Sequence, residues 1–431
     1  MIIWVIALAF ILRLINLNQS LWLDEAFQFK STYYFSLKDL LTVYLPGDFN
    51  PPLSYLVNFF FGKVFGYSEI SLRLPSVIFG VLTVWLVYKI SRGKIWPALL
   101  LATSGLHLYY SQEARMYSLA ALAVTASFWF LLKKRWFWYW LFSLIAIYSH
   151  YLTIFIFPAQ LIFIIIEQRQ SIRKLFFSWL ALVLGFLPWL PIFLQQLAAG
   201  RMAAATGWGS VVGGLNIKNL LLIPIKFLIG RIAPVNDQLY FLLIITPLLL
   251  TGWLLFKAIL NYKKNIFLLS WLLVPLILII LFSFQLPVLS YFRLLFLLPA
   301  FYLLLANYSK KIIYFYLGLN LICSAVYLFN PAFHREDWKS LSRTLVQKNS
   351  ANQPVVMIAA VNAPLKYYYA GDIFDYSDID QLSVSEFWLV PYAEPIFDPN
   401  LTLRQKIADL GYGEVFQTTF RGSLTLIQYK R

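Results

Sequence analysis

The sequence is poor in the groups from which soluble enzymes usually build their sites. It has one cysteine, three histidines and 19 acidic residues in 431, and only 13% of its residues are charged. Cys323 lies inside a hydrophobic segment, so an intrachain disulfide is excluded and cysteine usage says nothing about redox compartment. The three histidines are scattered and show no metal-ligand spacing with cysteine. No Walker loop or Rossmann glycine fingerprint occurs, nor any internal repeat or low-complexity tract. A cytosolic nucleotide-sugar domain is thereby excluded as the chemistry-bearing part.

Apolar side chains fill the space left by charge. They make up 60% of the chain, against about 45–50% in a soluble domain. They fall in blocks of roughly 17–22 residues, the helix length that crosses about 30 Å of hydrocarbon. The 15 tryptophans and 27 tyrosines, many near block ends, suit the headgroup zone. The composition is that of a polytopic α-helical membrane protein. Eleven spans are predicted: 2–17, 73–90, 95–111, 116–132, 136–150, 152–167, 175–196, 238–256, 265–283, 292–308 and 312–329.

The net charge of +16 does not point to nucleic acid, because its distribution is topological. Residues 330–431 hold 10 basic and 11 acidic residues, while residues 1–329 hold 25 and 8. The loops after spans 2, 4, 6, 8 and 10 carry 14 Lys/Arg and one acid, Glu167, which marks them as cytoplasmic. The N-terminus is then inside and the last hundred residues outside, at the plasma or inner membrane. Residues 2–17 lack a basic n-region and a small-residue cleavage site, so they read as an uncleaved span.

Residues 1–329 form the membrane domain. It has two long outer loops, 18–72 and 197–237. The first contains interfacial amphipathic pieces. The second opens with a small-residue stretch that reads as a mobile loop, followed by an apolar-basic helix. Residues 330–431 alternate helical and strand-like pieces, which predicts a small extracytoplasmic α/β domain.

Seven of the eight acids before residue 330 fall on the outer side. Asp24 and Glu25 follow the first span directly. By itself such a pair is equally a solvated loop feature. Arg13 precedes it in the outer half of the span, where an arginine is costly unless it faces protein or a polar cavity. A carboxylate in such a pocket could take a proton from a hydroxyl nucleophile. In "FNPPLSY" the paired prolines hold Asn50 extended, either as a plain turn or as a rigid presenter of Asn50. Glu113 and Arg115 fill the short second outer loop, as a local ion pair or as a second carboxylate and cation of the pocket. Arg73 and Arg293 also enter spans from the outer face. Snorkelling explains any one of them. Four arginines on one leaflet suit a lipid phosphate, which guanidinium groups bind bidentately. His150 ends span 5 on the outer side, a structural histidine by preference and a phosphate or metal contact otherwise. His107 stands alike near the end of span 3, and His334 reads as a surface residue.

These stretches together resemble the bacterial branch of the protein O-mannosyltransferase superfamily, which includes the lipid A aminoarabinose transferases and is of the GT-C type. "LRLINLNQSLWLDEAF", "FNPPLSYLVNFFFGKVFGYSEISLRLPSVIFG", "YYSQEARMYSL", "YSHYLTIFIFPAQ", "LPWLPIF" and "YFRLLFLLPAFYLLLA" carry the likeness over residues 10–306, and "EDWKSLSRTL" with "LKYYYAG" extends it. The resemblance implies an inverting glycosyltransferase of the outer face that uses a polyprenyl-phosphate sugar. Asp24 would be the general base. Glu25, Asn50, Arg73, Glu113, Arg115, His150 and Arg293 would bind substrate. Where the family usually has His or Lys before the two prolines, this chain has Asn50. Where the late motif often reads Arg-Tyr, it has Arg293-Leu294, with Tyr291 nearby. No obligatory cofactor is implied, a divalent metal is left open, and the acceptor is a protein, lipid or glycan. The rival readings are a lipid-linked glycan transporter, which would place charge near the bilayer midplane, and an inactive polyprenyl-lipid-binding relative.

Overall fold

The computed structural model describes residues 1–205, 213–233, 237–381, 384–398 and 400–431. The chain forms two compact units. One comprises Met1–Leu17 and Phe35–Phe333, the other Asn18–Tyr34 and His334–Arg431. The segment 18–34, which the sequence presents as the start of an outer loop, thus folds with the C-terminal residues.

The first unit is a multi-pass helical membrane unit. Five described helices have the length and composition to cross a bilayer: Glu69–Ile90, Arg169–Ala204, Tyr240–Leu260, Tyr262–Phe282 and Lys310–Phe329. Six shorter apolar helices accompany them, Ile2–Leu14 and Tyr117–Leu132 among these. The eleven expected spans therefore do not all appear as single full-length helices. Ile3, Phe176, Leu249 and Ile322 are exposed, as side chains facing lipid would be. Trp271, Phe128, Tyr302 and Tyr316 fill the interior, where the Phe128 and Trp271 rings stack 4.2 Å apart.

Two expected elements change form. Residues 95–111 make two helices, Ile95–Ala102 and Gly105–Ser111. The break falls where Thr103 turns its hydroxyl back to the Leu99 carbonyl and Ser104 caps the next helix through the His107 N–H. The mobile loop expected from residue 197 is helical where it was expected to begin. The helix Leu190–Ala204 continues through it, because a run rich in alanine keeps high helix propensity. Residues 206–212 of that expected loop lie outside the described residues. Pro188 and Pro191 interrupt the preceding span with one 3₁₀ turn, Leu187–Trp189.

The second unit is α/β. Strands β1 (Val355–Met357), β2 (Ile373–Asp375), β3 (Glu386–Val390), β4 (Gly413–Phe420) and β5 (Leu424–Lys430) form one sheet in the order β2-β1-β3-β5-β4. β1 pairs in parallel with β2 and β3, whereas β5 pairs antiparallel with β3 and β4. Phe387, Leu389, Ile427 and Tyr429 build a core against Leu403 and Ile407 of the helix Thr402–Asp409. The helix Trp338–Lys348 buries Trp338, Leu341 and Leu345, one face at helical spacing.

Candidate active site

In the membrane unit, Arg13 is wholly buried. Its Nη1 donates to the Ala9 carbonyl at 2.8 Å and to the Ala102 carbonyl, at the helix break, at 3.2 Å. Its Nη2 lies 2.7 Å from His107 Nδ1. Gly80 makes room, since a Cβ there would stand 2.2 Å from Ser111 Oγ and 3.1 Å from Arg13 Nε. Arg13 is thus spent on joining helices, not on reaching a lipid phosphate. The sequence pattern counted it with the other three arginines, and the broken helix accounts for the difference.

Arg73 is buried too, with Nη1 on the Leu17 carbonyl at 2.8 Å. The stretch 109–119, expected as the second outer loop, is fully buried and tied down by Gln112. The Gln112 amide donates to the carbonyls of Arg13 and Ile15 at 3.1 and 2.7 Å, and its oxygen accepts from the Tyr327 hydroxyl at 2.8 Å. That anchoring fixes Glu113 and Arg115, whose backbones bond at 2.8 Å.

Asn50 stands in a network that the sequence did not reveal. Asp48 Oδ1 accepts from the Phe49 N–H at 2.6 Å, the Asn50 N–H at 3.3 Å and the Asn50 side-chain amide at 2.9 Å. Asp48 Oδ2 accepts from the Tyr55 hydroxyl, which Arg115 Nη1 approaches at 3.5 Å. The Asn50 carbonyl accepts from Gln196 at 2.8 Å. The Pro-Pro turn is therefore locked on both sides, and Asp48 links it to Arg115.

The late segment supplies the other wall. The 3₁₀ turn Tyr291–Leu297 places Phe292 against Tyr110 and Tyr117, with ring centroids 6.0 and 5.4 Å apart. Tyr291 accepts from Arg231 Nη1 at 2.6 Å, and the same guanidinium lies 4.8 Å over the Tyr109 ring. Arg293 and Arg115 both lie within electrostatic range of His150. His150 also has a structural task, because its Nδ1 accepts from the Leu152 N–H at 3.2 Å and caps the 3₁₀ turn Tyr151–Phe155. The fold thus sets Arg231 and Arg293 over the rings of Tyr109 and Phe292, with Arg115 within electrostatic range of His150, whose ring lies 6.1 Å from that of Tyr117. Arg231 was missed in the sequence. Its signal was a glycine-arginine step at the end of the helix Ile217–Ile229.

In the second unit, Asp24 and Glu25 open the helix Leu23–Tyr34. The C-terminal residues hold the segment at every step. Lys339 Nζ donates to the Asn18 carbonyl at 2.6 Å, the Arg335 N–H to Gln19 Oε1 at 2.8 Å and the Lys339 N–H to Ser20 Oγ at 3.2 Å. The Leu21 N–H donates to the Tyr368 hydroxyl at 2.8 Å. Glu25 forms a buried ion pair with Arg335 at 3.7 Å. Glu336 accepts from Trp338 Nε1 at 2.8 Å and from the Tyr392 hydroxyl at 2.9 Å. Burial raises the pKa of Glu336, and the Asp24 charge raises it further. Two carboxylates of different environment thus sit in electrostatic contact, one of them Asp24. His334, expected at the surface, is partly buried.

Among the described residues, no group of three His, Cys, Asp or Glu side chains comes together to hold a metal ion.

Comparison with known proteins agrees with this architecture. Residues 50–194 match the sequence profile of the dolichyl-phosphate-mannose-protein mannosyltransferase family. A search of curated proteins gives no match. The crystal structure of ArnT from Cupriavidus metallidurans in the apo state superposes with a TM-score of 0.55 at 12% identity, covering 99% of this chain and 97% of ArnT. ArnT from the same organism bound to undecaprenyl phosphate gives 0.51, with the same identity and coverage. The profile match starts at Asn50 and holds the Pro-Pro turn, Glu113, Arg115 and His150, while Asp24 and Arg293 lie outside it. The chain thus has a fold like that of ArnT, a helical membrane unit with a small α/β unit, and its residues 50–194 match the sequence pattern of the mannosyltransferase family.

Proposed function

We propose that the protein is a glycosyltransferase that moves a sugar from a polyprenyl-phosphate donor to an acceptor hydroxyl at the outer face of the membrane. The observation that carries the reading is the grouping of Arg115, Arg231 and Arg293 with His150 near Phe292, from four distant stretches of chain. Such a cluster in low-dielectric surroundings suits a phosphate diester that becomes a monoester dianion as it leaves. The sequence likeness over residues 50–194 to a family acting on dolichyl-phosphate-mannose, and the undecaprenyl phosphate bound by ArnT, support the same donor class.

The reaction is a single displacement. The acceptor oxygen attacks the anomeric carbon, the carbon–oxygen bond to phosphate breaks, and the configuration inverts. The acceptor proton goes to Asp24 as general base. Glu336 stands within electrostatic range of Asp24. Arg115, Arg231 and Arg293 neutralise the leaving phosphate, and the Tyr291 hydroxyl orients Arg231. Asn50, turned by Asp48, offers its amide oxygen to a donor hydroxyl. Glu113 and Arg73 shape the donor site through the loops they hold. The C-terminal unit stands outside the membrane and the N-terminus inside, as the loop charges require.

The test is transfer from a radiolabelled polyprenyl-phosphate sugar pool in membranes that contain the wild-type chain or Asp24→Asn at equal expression. Transfer should fall by about a thousandfold or more for loss of a general base acting with the rest of the site intact. Undiminished transfer would remove Asp24 from this role.

A further inference from the structure

The second unit contains a pocket of about 490 Å³ that the transfer reaction above does not use. Its walls come from Tyr34, Lys366, Tyr369, Asp372 and Phe374. The volume lies within the range of small-molecule sites.

Three features distinguish it from ordinary surface. The first is charge. Partial burial lowers the pKa of Lys30, one helical turn before Tyr34, and the nearby Lys366 ammonium lowers it further. Among the described residues neither lysine has a carboxylate within ion-pair distance, although Asp372 lines the same pocket. Two like charges held together without a counter-ion favour an anionic guest.

The second feature is the aromatic surface. Tyr34 and Phe374 are 64% and 38% exposed. Tyr34 is braced from beneath by Phe29, with ring centroids 6.0 Å apart, and Phe29 itself packs on Tyr367. Flat, braced and wet rings offer faces to the C–H side of a pyranose, while the Asp372 carboxylate is left to accept hydroxyl protons.

The third is shape. A Cβ on Gly371 would come within 2.4 Å of the Tyr369 ring. The ring is rigid, and its hydroxyl accepts from the Asn349 amide at 3.3 Å. The floor of the pocket therefore depends on a residue without a side chain.

The geometry points to an anionic-saccharide subsite, in which Lys30 and Lys366 take a phosphate or carboxylate group and Tyr34, Tyr369 and Phe374 take the sugar ring. Its role as the recognition site for an acidic glycan acceptor rests on the glycosyltransferase reading, whereas the binding itself does not.

The experiment is calorimetric titration of the full chain, in nanodiscs of zwitterionic lipid, with α-glucose 1-phosphate. Saturable binding is expected, weaker by about tenfold or more for both inorganic phosphate and methyl α-glucoside. Lys30→Gln with Lys366→Gln, and separately Gly371→Ala, should each weaken it by about tenfold. Asp24→Asn should bind as the wild type does. If that variant also transfers sugar normally, the base assignment fails and this site stands. Absence of saturable binding overturns the inference. So does equal affinity for inorganic phosphate, which would make the site a plain anion hole. Tighter binding of adenosine monophosphate overturns it too. A last overturning result is lysine-dependent binding of phosphatidylglycerol vesicles without binding of the sugar phosphate, which would assign the lysines to a lipid headgroup.

Discussion

Asp48 holds Asn50 twice with one oxygen. Its Oδ1 accepts both the backbone N–H and the side-chain amide of Asn50, while its other oxygen takes the Tyr55 hydroxyl. The amide is thereby oriented, so its carbonyl oxygen is the group left for a ligand. Asp48→Asn keeps the size but introduces a donor against donors. Sugar transfer should fall by about tenfold to a hundredfold, with the larger effect on KM for the lipid donor. Equal KM values for the two proteins would show that the turn does not serve the donor.

Arg231 meets Tyr291 at 2.6 Å and the face of Tyr109 at 4.8 Å. Arg231→Ala should weaken binding of polyprenyl phosphate by about tenfold to a hundredfold, and Arg231→Lys should recover only part of that, since a lysine keeps the charge but loses the fork. Competition binding with short-chain polyprenyl phosphate measures both.

Arg13 should behave differently. Arg13→Met leaves the Ala102 carbonyl and His107 Nδ1 without their donor in a buried site, at about 1–3 kcal/mol for each group. The expected outcome is a lower melting temperature in detergent with an unchanged KM for donor in the protein that remains folded. A changed KM would return Arg13 to the substrate site.

Gly80→Ala tests the close approach directly, because the new methyl would press on Ser111 Oγ. Overpacking of this kind costs about 1–3 kcal/mol. Adding Ser111→Gly removes the clashing hydroxymethyl and should restore most of the lost thermal stability. Failure of that rescue would put the strain elsewhere.

Glu336 gives a pH signature. Its pKa is raised by burial and by Asp24, so the folded state binds its proton more tightly than the unfolded chain does. The stability it contributes is present below the ordinary glutamate range and is lost as pH rises through the raised value. Thermal unfolding of the full chain should show this loss on going from acid towards neutral pH, and Glu336→Gln should flatten it. The Tyr392 hydroxyl can rotate to accept from the new amide, so the variant keeps its fold.

Much of the architecture was readable because it is written in composition. Apolar blocks, basic loops and the strand-like runs "EFWLVPY" and "LTLIQY" need no long-range knowledge. β2 was not readable, being three residues between a Gly-Asp pair and a 3₁₀ turn. Nor was the helix Thr402–Asp409, whose polar residues outnumber its few buried ones. Asn50, Arg115, His150 and Arg293 could be singled out in the sequence as candidates by their expected place at the outer edge. Asp48 and Arg231 could not, because an acid in a turn and an arginine after a helix gain meaning only when Tyr55 and Tyr291 fold onto them. Arg13 shows the opposite case. A charged residue in a span reads as functional, yet its use here depends on a helix break some ninety residues away.

The hydrogen bonds that Arg335 and Lys339 donate to residues 18–20, and that the Tyr368 hydroxyl accepts from Leu21, make the last hundred residues a foundation for the proposed base. Trimming them from the chain would leave the spans intact while the stretch bearing Asp24 lost its mould. A replacement tail from another protein would have to reproduce those same footholds, so the two ends of this polypeptide are bound to change together over evolutionary time.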